Sequence, residues 1–128
     1  MFTKPEVLAI ASSLSAHAEA RQALIAENVA NADTPGYRTQ DIGDFATSYR
    51  DAPGPEMRQS RPGHIGNDER SGGGFERTAS LAQMSPNGNS VSLEAEMVKS
   101  AEVEREHNLA LAVYGKSLDI LRASLGRR

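Results

Sequence analysis

The sequence predicts a mainly α-helical chain, in which long N- and C-terminal helices form a coiled-coil-like pair and a largely irregular Gly/Pro-rich segment lies between them. Apolar residues recur at alternating spacings of three and four over residues 4–31 and again over 92–125, the pattern of a helix with one apolar stripe. Residues 32–91 carry Pro and Gly often enough to interrupt every regular element. At 128 residues the chain fits one domain, so 1–128 is read as a single unit.

The first helix is expected over 4–31. Val7, Ile10, Leu14 and Leu24 form its seam, and Leu8, Ala11, Ala18, Ile25 and Val29 widen it. Pro5 suits the first turn, where its missing N–H costs nothing. Asn31 is expected to close the helix in the left-handed conformation, and Thr34, standing before Pro35, is turned away from helical backbone. Asp33-Thr34-Pro35-Gly36 reads as a tight turn. Pro35 fixes the first central φ of a type II turn and Gly36 accepts the positive second one.

Between Tyr37 and Asn89, Pro53, Gly54, Pro55, Pro62 and Gly72-Gly73-Gly74 make the segment mostly loop. Short extended stretches are expected near 37–45 and 76–84. So long an irregular stretch either packs against partner molecules or is flexible in the isolated chain.

The second helix is expected over 92–125. Ser92 is its N-cap, and Glu94 and Glu96 complement the positive end of the dipole. A four-three series runs through Leu93, Met97, Ser100, Glu104, His107, Leu111, Tyr114, Leu118, Leu121 and Leu125. Gly126, Arg127 and Arg128 finish the helix. At about 1.5 Å per residue the helices would be roughly 40 and 50 Å long. Two such helices cover each other's stripe but leave apolar surface over. Each fully buried Leu contributes about 1.5 to 3 kcal/mol, so the remainder drives self-association.

Composition narrows the function. Hydrophobic residues make up 38% and aromatics 5%, with no Trp, so the core is built from aliphatic side chains. The net charge of −3, with scattered Lys and Arg, gives no footprint for nucleic acid. The absence of Cys removes disulfides, thiolate nucleophiles and Cys-based metal sites. No apolar run approaches the roughly 20 residues of a membrane span. Polar residues from Ser12 to Gln22 give no support to a cleaved secretory signal, and the chain is expected to be soluble when first made.

The residues with catalytic chemistry have plainer readings. Glu104 and His107, three apart on one helix face, resemble half of a di-metal site, but the second pair is missing. His17 falls on the first seam and would face His107 if the helices pack antiparallel; a structural histidine is the expectation. Gly72-Gly73-Gly74 is not followed by Gly-Lys-Ser/Thr and reads as a connector. No Gly-x-Ser-x-Gly elbow exposes a nucleophile. Asn28 is either a buried polar residue fixing helix register or an exposed residue near the helix end. Tyr37 and Phe45 either pack under the helix pair or anchor a neighbour. No catalytic residue, metal or cofactor is expected.

The stretch Asn28-Val29-Ala30-Asn31-Ala32-Asp33-Thr34-Pro35-Gly36-Tyr37-Arg38 resembles the N-terminal signature of the flagellar rod and hook axial proteins. Leu24 precedes it at the family's spacing, and Asp44-Phe45 and His64-Ile65 resemble pairs found in the proximal rod members. Ser85-Pro86-Asn87-Gly88-Asn89-Ser90-Val91-Ser92-Leu93-Glu94-Ala95-Glu96-Met97 is similar to the lead into their C-terminal helix. The distal rod and hook members carry a large inserted β domain, for which this chain has no room. The resemblance implies a non-enzymatic structural subunit of the proximal rod, polymerising through its terminal helices as part of the motor drive shaft. It also implies passage unfolded through the flagellar type III export apparatus to the periplasmic rod of the basal body. Implied partners are copies of itself, other rod proteins, the membrane-embedded basal ring and its rod adaptor. Leu14, Leu24, Met97, Leu111, Tyr114, Leu118 and Leu121 would then make helix contacts. Asn28, Asn31, Thr34, Pro35, Gly36 and Tyr37 would form the turn that sets subunit geometry, with Phe45 just beyond it. The competing classes are a binding protein or export-linked regulator using the same helices, and a metal enzyme on a helical scaffold.

Overall fold

The computed structural model describes residues 6–50, 75–80 and 83–126. Pro5, Pro53, Pro62, His64-Ile65, Gly72-Gly73-Gly74, Arg127 and Arg128 lie outside the described residues. In chain order the elements are α1 (Glu6–Ala30), β1 (Gln40–Ile42), α2 (Phe45–Arg50), β2 (Arg77–Ala79) and α3 (Leu93–Ser124).

The long helices α1 and α3 pack side by side and antiparallel. Asn28 meets Glu96, Gln22 meets Ser100 and Ser15 meets His107, so the pairing climbs one helix as it descends the other. The buried face of each helix repeats every seven residues: Ala11, Ala18 and Ile25 on α1 against Glu96, Val103 and Ala110 on α3. Small side chains hold the middle of this line, which lets the helices approach closely. The continuous apolar cluster is correspondingly short, made of Ala18, Ile25 and Val103.

This line differs from the expected one on α3. Leu93, Met97, Leu111 and Leu125 of the four-three series are 50%, 73%, 53% and 85% exposed, while Leu118 is half-buried. The seam facing α1 sits one position earlier, because Ala and Glu fit the narrow gap where Leu and Met do not. On α1, Leu24 is buried and Leu14 half-buried, whereas Val7 and Val29 are exposed.

Ser92 caps α3 as expected: its side chain accepts from the Ala95 N–H at 3.4 Å. At the other end Gly126 takes φ +83°, closing the helix after Leu125. The Asn31 expectation is corrected, since no described non-glycine residue has a positive φ. Asn31 instead ends α1 through its side chain, whose Nδ2 donates to the Glu27 carbonyl at 2.8 Å, and its backbone N–H is shared between Glu27 and Asn28. The turn after it is of the expected kind, with Gly36 at φ +74° and the Tyr37 N–H donating to Thr34 O at 3.3 Å.

The two extended stretches are real and find each other. β1 and β2 pair antiparallel with Gln40 opposite Ala79, Asp41 opposite Thr78 and Ile42 opposite Arg77. Two strands of three residues cannot stand alone, so they lean on α1, with Ile42 buried beneath them. The short helix α2 was not expected. It begins at the acidic-aromatic pair, with the Asp44 carbonyl accepting from Thr47 and Ser48 N–H groups.

Candidate functional site

The functional region is built where the C-terminal end of α1 meets the N-terminal end of α3. Asn28 lies in the last turn of α1 and is 0% exposed. Its Nδ2 donates to Gln40 O at 2.8 Å and to Glu96 Oε2 at 3.0 Å, and its Oδ1 accepts from the Gln40 N–H at 3.1 Å and the Tyr37 hydroxyl at 3.2 Å. Both donors and both acceptor positions of the amide are therefore used. One side chain ties α1, the turn, β1 and α3 together.

Glu96 is equally enclosed, at 1% exposed, and its second oxygen accepts from Lys99 Nζ at 2.9 Å. Lys99 reaches across to Asp41 at 3.2 Å, and Asp41 is gripped by Arg21 through two bonds of 3.0 and 3.4 Å. Arg21, Asp41, Lys99 and Glu96 thus alternate in sign, so the partly buried run carries no net charge. Burial works against the Asp41 carboxylate, but the Arg21 hydrogen bond and charge, the Ile42 N–H and Lys99 outweigh it and hold its pKa below the ordinary aspartate value. Burial likewise opposes the Lys99 cation, and Glu96 and Asp41 overcome it and raise its pKa. Asp41 hydrogen bonding also raises that of Arg21. Tyr37 is raised first by its own burial and then by the negative charges of Glu27 and Glu96.

A second clamp closes the end of the pair. Asn89 is 2% exposed, and its Nδ2 lies 3.0, 2.8 and 2.8 Å from the carbonyls of Asn31, Ala32 and Thr34. Its Oδ1 accepts from the Val91 N–H at 2.7 Å. Where α1 stops, the carbonyls of Asn31 and Thr34 also accept from the Thr34 and Tyr37 N–H groups, and a side chain from the α3 approach adds to these and supplies the donor for Ala32 O. Beside it Ser90 Oγ accepts from the Thr39 N–H at 2.8 Å, and the Gly36 N–H donates to Asn87 O at 3.1 Å. Gly88, at φ +80°, brings the two loops so close that a Cβ there would sit 3.4 Å from Gly36 Cα.

His17 does not face His107. Its Nε2–H donates to Gly43 O at 2.9 Å, and its ring meets Phe45 and Phe75 edge-on with centroids 5.6 and 4.8 Å apart. It packs the loop after β1 onto α1, a structural role. His107 instead lies 3.4 Å from Ser15 Oγ. Glu104 is exposed, and among the described residues no three His, Asp or Glu side chains are grouped to hold a metal ion.

Of the residues singled out from sequence, the structure brings Asn28, Asn31, Thr34, Gly36 and Tyr37 into one knot, with Pro35 at its exposed tip. Leu24 is buried on the side of α1 that carries His17, Arg21 and Asn28, and Phe45 joins the His17 cluster. Met97, Leu111, Tyr114 and Leu121 are exposed on α3, with Leu111 and Tyr114 bordering a groove against α1. Sequence reading gave no individual role to Arg21, Thr39, Asp41, Asn89 and Lys99. Glu96 was seen only as a dipole partner, although its seven-residue spacing to Val103 and Ala110 places it on the buried line.

A long antiparallel helix pair, knotted at one end by buried polar groups and with much of α3 uncovered, is a helix-pair scaffold. The family described as Flagella basal body rod protein matches residues 9–38, which cover most of α1 and the turn. A protein of Agrobacterium fabrum (strain C58 / ATCC 33970) named Flagellar basal body rod protein FlgB is 30% identical over 108 residues, covering 81% of each chain. The chain belongs to the flagellar basal body rod protein family, structural proteins of the bacterial flagellum.

Proposed function

We propose that this chain is a structural subunit of the proximal rod, polymerising through terminal-helix packing as one tier of the motor drive shaft. The observation that supports this reading is the mutual docking of residues 28–37 and 85–97, the exit from α1 and the approach to α3, which are far apart in sequence and form one buried knot. Such a knot gives a fixed subunit geometry at low cost in apolar surface, which leaves Met97, Leu111, Tyr114 and Leu121 for contacts between chains.

In this reading 1–128 act as one rod-type domain. Leu14, Leu24 and Leu118 support the helix pair, and the exposed α3 side chains meet copies of the chain and other rod proteins. The tier sits in the periplasmic space against the basal ring and its rod adaptor, having left the cytoplasm through the flagellar type III export apparatus. No catalytic step enters. The test is retention in basal bodies purified from the native cell after the filament is stripped away. Enrichment at the proximal end of the rod supports the reading; a chain that stays in the soluble fraction and is missing from the particles refutes it.

A further inference from the structure

Asn87-Gly88 is the one Asn-Gly step in the sequence, and it lies in the loop that leads into α3, with the Asn87 side chain exposed to solvent. Asparagine is a thermolabile residue, most of all before glycine, where the missing Cβ leaves the backbone nitrogen free to reach the side-chain carbonyl carbon. In that reaction Gly88 N bonds to Asn87 Cγ and the Cγ–Nδ2 bond breaks. Ammonia leaves, the proton it gains being balanced through solvent by the one Gly88 N loses. Water then opens the resulting succinimide at Cγ, giving aspartate, or at the main-chain carbonyl carbon, giving isoaspartate.

The folded loop withholds the groups that ring closure needs. The Gly88 N–H donates to Ser85 O at 2.8 Å, which closes a β-turn over Pro86 and Asn87. Asn87 has no positive φ, so the turn is of type I and holds the Asn87 ψ near about 0°. Closing the five-membered ring requires that torsion to swing far away and that hydrogen bond to break. Asn87 Oδ1 is meanwhile held by the Asn89 N–H at 3.0 Å, and its main-chain oxygen by the Gly36 N–H at 3.1 Å. Asn89 is itself anchored on the carbonyls of Asn31, Ala32 and Thr34. The turn therefore rearranges only when the knot opens.

We infer that Asn87-Gly88 is a self-modification site guarded by the knot: a docked chain keeps its asparagine, and an undocked chain converts it, the isoaspartate form being unable to dock again. Isoaspartate lengthens the main chain by a carbon and turns the carbonyl that binds the Gly36 N–H into a pendant carboxylate. The loop has little slack for this, since a Cβ on Gly88 would already lie 3.4 Å from Gly36 Cα. Docking is thus under a time limit, whatever the chain goes on to build.

The test holds the concentrated full chain in mildly alkaline buffer across a urea series, with helical ellipticity read in parallel. Mass spectrometry follows the peptide carrying Asn87 for the amide-to-acid mass gain and for isoaspartate. Conversion should rise in step with the loss of helix, from a folded rate about tenfold or more below the plateau in urea, because it passes through opening of the knot. Asn89→Ala should raise the rate without urea. A rate that is flat across the series, or highest in the folded chain, overturns the guarding. In Gly88→Ala conversion should be largely lost even in urea; persistence there overturns the assignment of the site. Chain bearing isoaspartate and returned to buffer should regain less helix than unmodified chain, and equal recovery overturns the loss of docking. Asn87→Asp, which carries the charge on an ordinary main chain, should recover as the unmodified chain does; its failure would place the damage in the charge and overturn the argument from main-chain length.

Discussion

Asn28 donates to the Glu96 carboxylate at 3.0 Å across a sequence separation of 68 residues, at a point where neither side chain reaches solvent. The bond joins the last turn of α1 to the first turn of α3 and so sets which turn of one helix lies beside which turn of the other. Apolar residues alone define that register weakly here, because among the described residues the buried apolar cluster consists of Ala18, Ile25 and Val103. A single buried amide has the same register-setting role in coiled coils.

Replacing Asn28 by Ala removes all four hydrogen bonds and strands the Gln40 backbone groups. The expected loss is about 3 kcal/mol, enough to abolish most of the helical signal of so lightly packed a chain. Asn28→Asp should be at least as damaging, since it sets a second carboxylate against Glu96. Glu96→Gln keeps an acceptor for Asn28 and should be the mildest of the three. Urea titrations followed by circular dichroism give the order.

Stability should fall in acid through Asp41. Its folded pKa is depressed, so its contribution is complete above the unfolded aspartate value and is lost as pH falls through the folded one, below about pH 4. Lys99 behaves oppositely: its folded pKa is raised, so its contribution holds below the model-peptide range and is lost only as pH climbs past about 10.5. Melting temperatures between pH 3 and 7 should drop less steeply for Asp41→Asn than for the wild type, from a lower starting value.

The loop clamp makes a graded glycine prediction. Gly36→Ala meets no neighbour but must hold φ +74°, a cost of about 1 to 2 kcal/mol. Gly88→Ala has the same strain at φ +80°, with its Cβ 3.4 Å from Gly36 Cα, so it should cost at least as much. Gly43→Ala, with open space and no positive φ, should be close to neutral. Asn89→Ala, which takes from the Ala32 carbonyl its donor, from those of Asn31 and Thr34 one of two donors, and from the Val91 N–H its acceptor, should be the worst of the set in thermal melts.

The isolated chain should be poorly ordered when dilute and gain helix on assembly. Leu109, Met97 and Ile120 are 57%, 73% and 69% exposed, so in the proposed rod much of the apolar surface of α3 is left for neighbours to bury. Helical ellipticity at 222 nm should therefore rise with protein concentration; a cooperative, strongly helical monomer at low concentration would contradict this.

The two long helices were legible because their apolar spacing persists over many turns, and the Pro35-Gly36 turn because its geometry needs those residue types. The seam of α3 was misread by one position. Large residues such as Met97 and Leu111 looked like the natural interior, but the interface is narrow and selects Ala110 and Glu96 instead. Asn31 was given a left-handed cap when its side chain was free to bind the Glu27 carbonyl. The polar network was hidden because Arg21, Asp41 and Lys99 come from three elements whose proximity no local pattern announces. The pairing of β1 with β2 was equally hidden, and the short helix at Phe45 was obscured by the irregular sequence around it.

The central claim is that α1 and α3 of one chain form the helix pair present in the assembled rod. Gln22 and Ser100 touch at 3.2 Å across that pair, so Gln22→Cys with Ser100→Cys, treated with a short bis-maleimide in purified basal bodies, reads it directly. The account requires a product linked within one chain, migrating at monomer mass. Linkage found only between two chains would mean that the helices pair across subunits in the rod, and would contradict it.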